Sequence, residues 1–196
     1  MTDDFRDPGW RSIFGPVLAQ LFMPWRISTR RTQHGGAADG LTQIRAIWSA
    51  LVLSLFLFLF VMSFMHLRWT GSAGLWPYGI AAIGSGSIAL VYLAGREPLR
   101  GDSFEALSRS YVSRFFRGFA EAEVPALLAF MTVFITGRLW LYVEGLAFSV
   151  VGMMIIAPTR RNLARYQTRL KESGSSLSLV EALMRGVLPG RPKRTR

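Results

Sequence analysis

The chain has 196 residues and is 51% hydrophobic, yet 23 Lys and Arg against 12 Asp and Glu leave it with a formal charge of +11. Charge and apolar blocks are segregated along it, which excludes an ordinary soluble domain. The lack of cysteine excludes disulfides, thiolate chemistry and Cys-based zinc or iron–sulfur sites, and the two histidines, His34 and His66, have no partner at metal-ligand spacing.

The opening MTDDFRDPGW is acidic and polar, where a signal peptide needs a basic stretch and then an apolar core. SIFGPVLAQLFMPWR (12–26) is apolar but short, and Pro16 and Pro24 interrupt it. It reads either as a segment lying in a membrane interface, flanked by Trp10 and Trp25, or as a tail with an apolar patch. RRTQHGGAADG has the composition of a linker. Three parts follow from this division: an N-terminal segment (1–45), a transmembrane domain (46–157) and a basic tail (158–196).

The first span, AIWSALVLSLFLFLFVMSFM (46–65), carries no charge in a stretch long enough to cross the roughly 30 Å hydrocarbon core. Arg45 closes one end, and His66 and Arg68 close the other. Its Leu and Phe side chains suit broad contact with lipid. The second span (75–95) is different in kind. Ala81, Ser85 and Ala89 recur every fourth residue, and Ala82 and Gly86 add another small pair. In lipid, small residues at that spacing let a second helix approach closely.

REPLRGDSFEALSRSYVSRFFRGF follows as a basic loop and helix (about 103–118). Asp102 or Ser103 can cap it, with Glu105 as the reciprocal capping-box residue for Asp102. Phe104, Leu107, Tyr111, Phe115 and Phe119 form one stripe, with Arg109, Arg114 and Arg117 largely away from it. The pattern fits a membrane-surface helix or an ordinary packed amphipathic helix. The third span covers 119–136 or only 124–136, and the fourth covers 139–157, with Gly137 and Arg138 turning the chain between them. In the tail, Arg160, Arg161, Arg165, Arg169 and Lys171 predict a basic juxtamembrane helix, ESGSS a break, and Ser178 with Glu181 a capped last helix. PGRPKRTR reads as a disordered basic end.

Of the 23 Lys and Arg, 21 fall in the two terminal segments and the 96–121 loop, leaving only Arg68 and Arg138 for the other two loops. The positive-inside rule then puts both termini and the central loop in the cytoplasm. The expected fold is all-α: four transmembrane helices in two hairpins, with interfacial amphipathic helices, in a bacterial cytoplasmic membrane. The charge suits anionic lipid head groups, with Arg109, Arg114, Arg117, Arg160, Arg161, Arg165 and Arg169 as the contacts. No nucleic-acid reading motif accompanies it.

Intramembrane acids are functional-site hypotheses by default, so Glu121, Glu123 and Glu144 are candidates for ion binding. The structural alternatives are pairing of Glu121 with Arg117, one helical turn earlier, and of Glu144 with Arg138. GIAAIGSGSIAL (79–90), AGREP (94–98) and FAEAEVPALLAF (119–130) together resemble the helical hairpin of the proteolipid (c) subunits of rotary ATPases. That resemblance covers residues 75–137 and implies that Glu121 or Glu123 carries a transported ion. The proteolipids hold their carboxylate near mid-membrane, whereas here Arg117 lies only four residues before Glu121.

No P-loop, HExxH, G-x-S-x-G or Rossmann glycine pattern is present, and no catalytic residues, metal or cofactor are expected. The reading is a non-enzymatic accessory, assembly or scaffold subunit of a larger membrane complex, through another membrane protein or self-association. The alternatives are proteolipid-like ion translocation and anionic-lipid binding.

Overall fold

A computed structural model describes residues 40–65, 67–99 and 102–185. The expectations for residues 12–26, His34, the Gly-rich linker up to Asp39, His66 and the end PGRPKRTR lie outside those residues. Six helices make up the described chain: α1 (Gly40–Ser63), α2 (Trp76–Ala94), α3 (Phe104–Thr136), α4 (Trp140–Ile156), α5 (Arg160–Glu172) and α6 (Leu179–Arg185). Among the described residues there is no strand, only an isolated bridge between Arg68 and Arg138.

α1, α2 and α3 are each long and apolar enough to cross a membrane. α4 qualifies only together with α5, across a bend of 52°. Pro158, which stands in the break between them, cannot continue a helix and disfavours helical backbone at the residue before it.

Two apolar cores stack along the bundle. The larger lies among α1–α4 and includes Leu55, Ile80, Ala126, Ala129, Val133 and Met153. The smaller joins the start of α1, the first half of α3, α5 and α6, through Leu41, Ile44, Leu107, Tyr111, Phe115, Leu163 and Leu183. The stripe predicted on residues 104–119 therefore packs mainly against protein: Leu107, Tyr111 and Phe115 are buried in this second core and are not left for a membrane surface.

α3 is one continuous helix of 33 residues, so the amphipathic helix and the third span are a single element. Ser103 caps it by accepting a bond from the Ala106 N–H, while Glu105 pairs with Arg109. α1 begins six residues before the uncharged run, because Leu41 and Ile44 belong to the second core. Arg45 does not stand at a solvated end. It is fully buried, and its Nε donates to the Pro158 carbonyl at 3.2 Å.

Only 11% of the apolar stretch of α1 is buried inside the chain, against 39% for α3. Phe56, Leu57, Phe60 and Phe64 point outward, as expected of a lipid-facing helix. Side-chain bonds hold α1 to α4. The Trp48 indole N–H donates to the Met153 carbonyl at 3.1 Å, and the Tyr142 hydroxyl to the Leu55 carbonyl at 2.9 Å. With Arg45, they set α1 and α4 antiparallel.

The carbonyls at the end of α4, which no helical N–H can reach, are met by side chains. Asn162 Nδ2 donates to Ile155 and Ala157, alongside the Trp48 and Arg45 bonds. At the opposite end of the bundle, the 64–75 and 137–139 loops are stitched together. Arg68 N–H donates to Gly137 O at 2.9 Å, Leu139 N–H to Arg68 O at 3.0 Å, and the Arg138 guanidinium to Thr70 O. Gly137 makes the turn with φ 67°, a left-handed backbone that suits glycine.

Candidate functional site

Pro125 lies inside α3. Proline has no N–H, so the Glu121 carbonyl, four residues back, loses its helical donor. The Ser87 hydroxyl of α2 supplies the replacement by donating to Glu121 O. The next N–H, that of Ala126, donates to Ser149 Oγ of α4 at 2.9 Å. Both serines are buried. The proline break is thus repaired by one hydroxyl from each neighbouring helix.

The same level of the bundle is packed backbone to backbone. A Cβ added at Gly145 would come within 2.3 Å of Ala129 Cβ and 2.5 Å of the Pro125 carbonyl oxygen. One at Gly152 would meet Ala122 Cβ at 2.9 Å, and one at Gly84 would meet the Phe148 ring at 2.4 Å. The close seam therefore runs between α3 and α4, along Gly118, Ala122, Ala126 and Ala129 against Gly145, Ser149 and Gly152.

The small residues singled out on the second span lie elsewhere. Ala82, Ser85, Gly86 and Ala89 are exposed, and Ala81 is partly buried. α2 packs inward through Ile80, Gly84, Ser87 and Val91. The signal for the α3–α4 seam was in the sequence, as glycine and serine at 145, 149 and 152 opposite alanines at 122, 126 and 129. It is the same spacing logic applied to different helices.

Glu121 and Glu123 are both partly buried. Because Glu121 sits opposite Ser87, seven residues inside the end of α2, it lies about 10 Å into the bundle at roughly 1.5 Å per residue. That is deeper than its nearness to Arg117 suggests. The expected Glu121–Arg117 pair does not form; Arg117 lies 3.8 Å from Glu97 instead.

Glu123 is within electrostatic reach of Tyr142. Glu144 keeps a buried Oε2 with no hydrogen-bond partner, as does the Trp140 indole nitrogen one turn earlier. Arg138, the partner the sequence offered, donates instead to the Thr70 carbonyl of the loop stitch. Among the described residues, no three His, Asp or Glu side chains come together as a metal-type cluster. The carbonyl that Pro125 frees, the natural cation ligand at a broken helix, is already taken by Ser87.

The arginines occupy the other end of the molecule. Arg169 donates to the Gly95 carbonyl and Arg114 to the Pro98 carbonyl at 3.0 Å, meeting backbone acceptors beyond the C-terminal end of α2. Arg114 also lies 5.8 Å above the Tyr166 ring. Burial, with the Arg169 charge adding to it, lowers the Arg114 pKa from its ordinary value, against the opposing pull of Tyr166 and Glu97. Burial likewise raises the pKa of the Tyr111 phenol. Arg109, Arg117, Arg160, Arg161 and Arg165 are exposed.

No protein-family model matches the chain, and no curated protein or solved structure matches it either.

Proposed function

We propose that this chain is a non-enzymatic integral membrane protein that serves as an assembly or scaffold subunit of a larger membrane complex, docking a partner helix on the outer face of α2. One observation carries the reading. The inward face of α2 is already engaged through Gly84 and Ser87, while Ala82, Ser85, Gly86 and Ala89 form a shallow exposed face on the other side. A Cβ added at Gly86 would meet nothing within 4 Å. In lipid, helix association depends on close approach, which such a surface permits. In this reading the basic end of the bundle faces the cytoplasm of a bacterial cell, in keeping with the distribution of Lys and Arg.

Gly86→Leu tests it, because the substitution fits the isolated chain and projects into the docking face. The wild type, taken from its native membrane in mild detergent, should run as a larger assembly, and the variant as a monomer of unchanged thermal stability. A monomeric wild type, or an assembly that Gly86→Leu leaves intact, contradicts the proposal.

Ion translocation is the second reading, and the depth of Glu121 and Glu123 favours it. Under it, Glu123→Gln abolishes proton flux in liposomes; under the scaffold reading, the variant assembles and behaves as the wild type does.

A further inference from the structure

Beside the last turn of α2, an open cleft of about 450 Å3 separates the 94–98 segment from the polar face of α3. Its charged and hydroxyl lining comprises Glu97, Arg109, Ser110, Ser113, Arg114 and Arg117. The α3 members recur at steps of three and four residues, so one helix face presents three guanidinium groups and two hydroxyls.

We infer that this cleft is a binding site for a phosphate-bearing anion. Its independent support is the state of the arginines. Arg114 is partly buried, with its guanidinium fixed in the cleft wall by its bond to Pro98 O and by the Tyr166 ring. Arg109 and Arg117 are held only by solvent-exposed pairs, to Glu105 at 3.0 Å and to Glu97 at 3.8 Å. Exposed pairs of this kind contribute little and are readily exchanged for a stronger anion. Guanidinium forks match phosphate oxygens in pairs, which favours phosphate over a simple monovalent ion. The cleft is also larger than a bare anion needs and falls within the size range of small-molecule sites.

Its position points to the source. Leu90 and Leu93, two turns and one turn before Glu97 on α2, are exposed, as is Phe116 beside Arg117. An apolar surface thus leads directly to the cleft, as a phospholipid with its head group in the cleft and its chains along α2 requires. The inference rests on the reading of the apolar helices as membrane-embedded, and a partner helix docked on the same exposed face of α2 would compete with the lipid chains along Leu90 and Leu93.

The test uses the full chain in neutral detergent, with phosphatidylglycerol, phosphatidylcholine and inorganic phosphate as separate probes, and counts retained molecules by native mass spectrometry. Phosphatidylglycerol should bind one to one and phosphatidylcholine far more weakly. Arg109→Gln with Arg117→Gln, both exposed and harmless to folding, should weaken phosphatidylglycerol by about fivefold per arginine. Arg161→Gln with Arg165→Gln, exposed on α5 away from the cleft, should change it by less than about twofold, since their charge is not in the site. Glu97→Gln should tighten it by removing the competing acid. Inorganic phosphate that displaces the lipid at equal concentration assigns the site to a soluble phosphate; failure to displace it assigns the site to the lipid. Equal binding of the two lipids, or equal losses in the cleft and α5 variants, overturns the inference.

Discussion

A proline within a membrane helix frees the carbonyl four residues back, and lipid offers no water to satisfy it. In this protein the Ser87 hydroxyl fills that vacancy at Glu121, and Ser149 takes the neighbouring Ala126 N–H. Ser87→Ala should therefore destabilise the bundle by about 1 kcal/mol, the scale of a hydrogen bond between membrane helices. In a Pro125→Ala background the residue at 125 regains its N–H and bonds Glu121 itself, so Ser87→Ala should cost almost nothing there. Denaturant titration in detergent micelles measures all four corners of this cycle; equal Ser87→Ala losses in both backgrounds would contradict the repair. Pro125 stands inside the run predicted as the third span. The remedy for the carbonyl it frees was not legible in the sequence, because Ser87 lies 34 positions from Glu121 and only tertiary packing brings it there.

At the scale of elements, each uncharged run falls within or beside a helix, α2 and α4 lying within one residue of the predicted bounds, while α1 starts six residues early and α3 begins fifteen residues before the predicted third run. The misplacements have one cause: tertiary contacts extend or fuse elements that composition separates. α1 starts early because Leu41 and Ile44 pack into the second core, and α3 runs unbroken because its breaker is repaired from outside. The choice of packing face was also hidden. Small residues occur on α2, α3 and α4 alike, and spacing does not say which face is filled within the chain. The glycines now differ in expectation. Gly145→Ala forces a methyl against Ala129 and the Pro125 carbonyl and should destabilise by roughly 1–3 kcal/mol, the range for overpacking. Gly86→Ala meets open space and should stay within about 0.5 kcal/mol of the wild type. Thermal unfolding in detergent compares them, and equal losses would count against the α3–α4 seam.

For the molecule as a whole, the two ends of the bundle are chemically distinct. One end gathers the start of α1, the first half of α3, α5 and α6 around a second core, with arginines bonded to free backbone carbonyls. The other end consists of short loops stitched by backbone bonds, with Arg68 and Arg138 as its only Lys or Arg among the described residues. That asymmetry was legible in the sequence because it is a count of Lys and Arg between apolar runs, which needs no tertiary information. The arrangement of the acids was not, because the partners of Arg117 and Arg138 are fixed by which loops meet. The proposed function requires a membrane bundle whose basic end lies wholly on the cytoplasmic side. The chain has no cysteine, so single cysteines report position without background. Ser72→Cys, exposed before α2, and Ser176→Cys, exposed between α5 and α6, should be probed with a membrane-impermeant maleimide on intact cells. The account predicts that Ser72→Cys is labelled at once and Ser176→Cys only after the membrane is opened; labelling of both from one side, or the reverse order, would contradict it.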